Sequence, residues 1–134
     1  MKRKRFQKKK IIDMEIKKTG KLFSFCCMAP IIIKNKDIKD IKFFENIGSN
    51  IGLLFQIADD LIDFKGFSQT AGKKTRKDAK QGKATLISLL GYKNTIKYSY
   101  RIKSKIINDL KKYGLRTNNI NETLDYILTR NKWH

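Results

Sequence analysis

Three carboxylates at helical spacing, followed by a lysine-rich loop, are the residues in this chain whose types could do chemistry. The stretch Gln56-Ile57-Ala58-Asp59-Asp60-Leu61-Ile62-Asp63 places Gln56, Asp59, Asp60 and Asp63 along one stripe of a predicted helix. Charges about 6 Å apart at an effective dielectric of about 20 oppose each other by roughly 3 kcal/mol. Beside an apolar face that repulsion asks for a bound cation. Oxygen-only ligands, few in number, suit a hard ion such as Mg²⁺, which keeps waters and completes its shell with phosphate oxygens. An exposed acidic helix turn is the plainer alternative, and spacing alone does not separate the two.

The loop that follows, Gly66 to Thr85, carries Gly72-Lys73, Asp78 and Gly82-Lys83-Ala84-Thr85. Glycines permit tight turns and lysines supply point charges for phosphate. An acidic triplet with a lysine loop makes a metal-bridged diphosphate site.

The helix that must position the acids is expected over Ile47–Asp63, with Ile47, Ile51, Leu54, Phe55, Ala58 and Ile62 as its packed face. Gly48 and Gly52, four apart, permit close approach of a neighbouring helix. Upstream, a helical pattern runs from Ile11 through Lys18-Thr19-Gly20 towards Ala29, and Pro30 predicts a break or kink. Asp37 and Asp40 read as a helix-start acid face. Downstream, Leu86–Gly91 reads as a short buried helix ended by glycine. Tyr92–Tyr113 reads as a lysine-rich amphipathic helix closed by Gly114, and a last helix through Leu124 and Leu128 is capped by Asn119 or Asn121. Residues 1–10 are too charged to pack and are expected to be disordered or a fraying helix start. Residues 11–134 then form one all-α unit.

The formal net charge of +19 suggests nucleic acid or an anionic surface. It is nearly all lysine, however, alongside heavy isoleucine and asparagine use, the profile of an AT-rich coding sequence. No aromatic RNA-binding signature, zinc spacing or repeat accompanies it. Met1–Lys10 is the seat such binding would take. No run of apolar residues is long enough to span a membrane, and no secretory signal is readable. Adjacent Cys26 and Cys27 read as reduced thiols of a cytoplasmic protein. His134 reads as a tail residue.

Phe55 to Asp63 with Gly72-Lys73, Asp78 and Gly82-Lys83-Ala84-Thr85 resembles the second aspartate-rich region of the trans-prenyl diphosphate synthases, closest to the bacterial farnesyl diphosphate synthases. Lys18-Thr19-Gly20 is similar to that family's Lys-Thr-Gly motif, and Leu124–Lys132 resembles its C-terminal helix and basic tail. The resemblance implies the C-terminal part of the isoprenoid synthase helical bundle. It implies Asp59, Asp60 and Asp63 at Mg²⁺, and Lys18, Lys73 and Lys83 at diphosphate. Thr19 would face a developing carbocation, and Gln56 would point its amide at substrate. The implied reaction joins an allylic diphosphate (geranyl or dimethylallyl) to isopentenyl diphosphate, with product length left open. Lys77 and Ile87 stand where the family usually has glycine and proline. The family's first aspartate-rich motif has no counterpart here. The resemblance therefore implies a truncated or split chain working as a homodimer or with a missing N-terminal half. The alternatives are a non-catalytic remnant or subunit that binds Mg²⁺-diphosphate or a partner synthase, and, last, a basic nucleic-acid-binding protein.

Overall fold

The computed structural model describes residues 2–34, 36–69 and 85–129. Among them there are helices and no strands, as expected for an all-α chain. In order they are α1 (Lys2–Glu15), a π turn (Ile16–Gly20), α2 (Lys21–Ile33), α3 (Ile38–Gln69), α4 (Leu86–Leu90), α5 (Tyr92–Leu110), a 3-10 segment (Lys111–Thr117) and α6 (Asn118–Thr129).

Helix α3 is the post around which the others stand, and each of the other α-helices touches it. It extends the predicted Ile47–Asp63 helix at both ends. Its buried side chains are Ile47, Leu53, Leu54, Ile57, Ala58 and Leu61, while Ile51, Phe55 and Ile62 are half-buried. The buried band is wider than a single stripe because α3 is covered from two sides. Helices α1 and α2 lie against it, and so do α5 and α6. Ile102, Ile106, Leu110, Leu124, Ile127 and Leu128 close the core on the α5 and α6 side.

The α2–α3 contact is set by small residues. A Cβ at Gly48 would lie 2.5 Å from the Phe23 carbonyl oxygen and 2.6 Å from Ser24 Cα, and one at Gly52 would lie 2.7 Å from Gly20 Cα. Both glycines thus do what their four-residue spacing suggests, admitting backbone where a side chain would stand. Ser24 completes the seam. Its hydroxyl donates to the Glu45 carbonyl at 3.0 Å and meets the Ser49 hydroxyl at 2.5 Å. Both bonds satisfy polar atoms that close helix packing would otherwise bury unpaired.

Three expectations change. Pro30 does not break the chain, since α2 runs on to Ile33 with Lys34 N–H donating to the Pro30 carbonyl at 3.1 Å. Proline removes the bond to the Cys26 carbonyl, but Cys26 is exposed, so water can take the partner's place. The basic segment expected to be disordered or a fraying helix start is helical from Lys2. Nothing before Ile11 is buried, and Lys8 Nζ sits 4.2 Å from the centre of the Tyr98 ring on α5. Helix α5 stops at Leu110, three residues earlier than expected, and passes into the 3-10 segment that Gly114 interrupts at φ 61°.

A fourth changes as well, because Asn119 and Asn121 lie inside α6, which starts at Asn118, so neither is its N-cap. Gly91 ends α4 with φ 84°. Helix α4 starts on a capping box in which Ser88 N–H donates to Thr85 Oγ1 and Thr85 N–H donates to Ser88 Oγ, each at 3.1 Å. Lys103 on α5 pairs with Asp125 on α6.

Gly48→Ala is expected to destabilise the fold by about 2–3 kcal/mol, because backbone rather than a flexible side chain must give way. Gly66→Ala, where an added Cβ meets nothing within 4 Å, is expected to be neutral or to gain up to about 1 kcal/mol. Urea unfolding of the two variants measures the contrast.

Candidate functional site

The π turn and the middle of α3 together build the site. Lys21 N–H donates back to the Ile16 carbonyl five residues earlier, so the chain bulges at Lys18-Thr19-Gly20. This bulge falls on the Lys-Thr-Gly motif of the family resemblance. Gly20 seats against Gly52, which brings the residue before Gly20 opposite the residue one turn beyond Gly52. Those two residues are Thr19 and Gln56.

Thr19 Oγ1 donates to Gln56 Oε1 at 2.8 Å. With its oxygen so engaged, the Gln56 amide donates onward to the Asp60 carboxylate. Thr19, Gln56 and Asp60 therefore form a hydrogen-bonded chain running from the π turn across to the acidic stripe. Two of its members were singled out separately in the sequence, 37 positions apart, and the fold joins them.

The electrostatics around this chain are acidic. The Asp60 carboxyl is raised from 3.8 to about 6, first by burial and then by Asp63 and Asp59, with Lys18 and the Gln56 hydrogen bond opposing. Asp59 is half-buried and Asp63 exposed. Lys18 is exposed and close enough to act on Asp60 and on a residue the sequence did not flag, Glu15. Glu15 is 6% exposed, and its Oε2 has no hydrogen-bond partner. Its pKa rises from 4.5 to about 7, through burial and then the nearby Asp60. A signal for it existed. Glu15 follows the buried Ile11 by four residues and precedes Lys18 by three, which puts an acid on the packed side of a strongly basic helix.

Lys73, Lys83 and Asp78 lie outside the described residues, so the loop half of the expected diphosphate site is not described. Thr85, the last residue of that motif, is described and serves as the N-cap of α4, and Ile87 is buried in the core.

The donor set suits a hard cation. It is made of oxygen atoms, its charges are under-compensated, and one buried carboxylate oxygen is unpartnered. Among the described residues, no three acid, histidine or cysteine side chains converge as a ready-made cage.

The sequence profile described as polyprenyl synthetase matches residues 1–123. The chain belongs to the polyprenyl synthetase family. It is 32% identical to a farnesyl diphosphate synthase of Micrococcus luteus over 119 residues, covering 89% of this chain and 41% of that protein. It is 32% identical to the farnesyl diphosphate synthase of Bacillus subtilis over 117 residues, covering 85% of this chain and 38% of that one. Against a geranylgeranyl diphosphate synthase of Cyanophora paradoxa the identity is 29% over 118 residues, covering 88% and 39%. This polyprenyl synthetase chain thus spans about two-fifths of the length of the curated relatives it matches. No solved structure matches it. Among the described residues, no helix is long and apolar enough to cross a membrane.

Glu15 and Asp60 give the fold a pH dependence of defined sign. Both carboxyls hold their protons more tightly when folded, so their stabilising contribution is complete below the unfolded pKa values. For Glu15 it is lost between 4.5 and about 7, by at most about 3 kcal/mol. Glu15→Gln is expected to flatten that slope, raising stability relative to the unmodified protein more at pH 8 than at pH 4.5. Thermal unfolding across this range checks it, and parallel curves for the two proteins would contradict the assignment.

Proposed function

We propose that this chain supplies the metal-holding and diphosphate-binding side of a trans-prenyltransferase site. The reaction ionises an allylic diphosphate, geranyl or dimethylallyl, and adds the resulting carbocation to isopentenyl diphosphate. The observation that supports this reading most directly is the Thr19–Gln56–Asp60 hydrogen-bonded chain beside Lys18. It joins the two motifs of the family resemblance in one place.

Asp59, Asp60 and Asp63 are the residues that would hold Mg²⁺. The ion's chemistry there is neutralisation of charge on the departing diphosphate. Lys18, exposed at the edge of the acidic stripe, offers a mobile ammonium to the same diphosphate. Gln56 fixes Thr19 by accepting its hydrogen bond, which leaves the lone pairs of Thr19 Oγ1 as a neutral dipole for positive charge developing on the allylic carbon. Lys73 and Lys83 are assigned to diphosphate on the sequence resemblance. Farnesyl and geranylgeranyl diphosphate synthases both match this chain at similar identity, so product length is left open in this proposal.

A second reading is a non-catalytic subunit or remnant that binds Mg²⁺-diphosphate without turnover. One assay separates the two. The chain is incubated with Mg²⁺, geranyl diphosphate and labelled isopentenyl diphosphate, and extractable product is counted alongside equilibrium binding of geranyl diphosphate. Labelled product supports the synthase. Mg²⁺-dependent binding without product supports the subunit, and neither binding nor product sinks both.

Within the same experiment Asp59→Ala is expected to weaken Mg²⁺-dependent binding at least tenfold. Lys18→Ala is expected to do so by about the same factor, the loss of one charge-assisted contact.

A further inference from the structure

Glu15 stands in the wall of the site without a part in the Thr19–Gln56–Asp60 chain. It comes from the end of α1, is 6% exposed, and has no hydrogen bond at Oε2. The register of the helices puts it there. Gly20 meets Gly52 and Thr19 meets Gln56, so the π turn and α3 run antiparallel. Four residues back from Thr19 is Glu15, and four residues on from Gln56 is Asp60. The two carboxyls thus stand on matching turns of two helices, close enough for Asp60 to raise the Glu15 pKa. Like charges there oppose each other, and a buried acceptor without a donor costs free energy. Few groups relieve both faults. A plain water can donate to Oε2 but leaves the two charges as they are. Lys18 has the right sign, but it is exposed, does not donate to Oε2, and is the smallest of the influences on Glu15. A hydrated divalent cation does both, because its waters are polarised donors and its charge answers two carboxylates.

We propose that Glu15 is a fourth carboxylate of the cation site, reaching from α1 to accept a hydrogen bond from a water of the Mg²⁺ held at Asp60. The inference rests on the metal-holding reading of Asp59, Asp60 and Asp63, and adds to it a residue from another helix. Glu15 is a positioning residue in this arrangement, since it acts on the ion through its water and not on the diphosphate. An ion shared between Glu15 and Asp60 also ties the end of α1 to the middle of α3.

The test titrates Mn²⁺, a paramagnetic stand-in for Mg²⁺, into the whole chain at pH 8. Electron paramagnetic resonance reads the free ion, with and without inorganic diphosphate. Glu15→Gln keeps the size of the side chain and removes its charge. It is expected to weaken Mn²⁺ binding by about tenfold, the usual loss for a group that holds a metal through its shell. The same variant is expected to raise the thermal stability of the ion-free chain, so a weaker ion does not report a weaker fold. Asp13→Asn removes an exposed acid two residues away and is expected to change the affinity by less than about twofold. Lys18→Met, measured without diphosphate, is expected not to weaken it, since an ammonium and a metal ion compete for the same carboxylates. Equal losses in Glu15→Gln and Asp13→Asn overturn the proposal, because the effect is then one of net charge. A loss in Lys18→Met equal to that in Glu15→Gln overturns it too, because Glu15 then acts through Lys18. The two readings fail separately. If Asp60→Asn weakens Mn²⁺ binding and Glu15→Gln does not, Glu15 is removed and the metal-holding reading stands. If the unmodified chain binds no Mn²⁺, with diphosphate as without it, both fall.

Discussion

The backbone contact between Gly20 and Gly52, continued by Gly48 under Phe23 and Ser24, is the constraint on which the rest of this structure depends. It fixes how near the π turn stands to α3. A side chain at Gly48 or Gly52 would hold the two apart by more than the tolerance of a 2.8 Å hydrogen bond between Thr19 and Gln56. Packing and chemistry are therefore the same contact at two levels. The seam that buries Ser24 also aligns two polar side chains distant in sequence and hands the alignment on to Asp60.

What surrounds that alignment is an imbalance of charge within a strongly basic chain. Lysine is abundant everywhere else, yet the buried wall of the site holds Glu15 and Asp60 with Lys18 as the cation acting on both. Burial contributes the largest share of each shift, so both carboxyls keep their protons to a higher pH than free ones do.

Much of this was legible in local pattern. Gly48 and Gly52 announced close packing by spacing, Gly91 announced the end of α4, and Gln56 to Asp63 lie on one helix. Legibility failed where the deciding contact is tertiary. Pro30 reads as a break, but the carbonyl it leaves unbonded belongs to the exposed Cys26. Residues 2–10 read as too charged to pack, disordered or a fraying helix start, and the contact with Tyr98 lies some ninety positions away. Glu15 carried only the weak signal of its spacing from Ile11, and its burial comes from packing that no local pattern states. The lysines of the loop were nameable from sequence, but Lys73 and Lys83 fall outside the described residues.

The π turn has a consequence for how this segment can vary. Glu15 and Ser24 are both buried towards α3, yet nine residues of uninterrupted α-helix at about 100° each would set them on opposite sides. The wider turn between them takes up the surplus and restores the phase. Loss of a single residue between Ile16 and Gly20 would leave eight steps of plain α-helix, a net turn of about 80° that keeps both faces towards α3. What the extra residue adds is the bulge at Lys18-Thr19-Gly20 itself, not the phase of the helix around it.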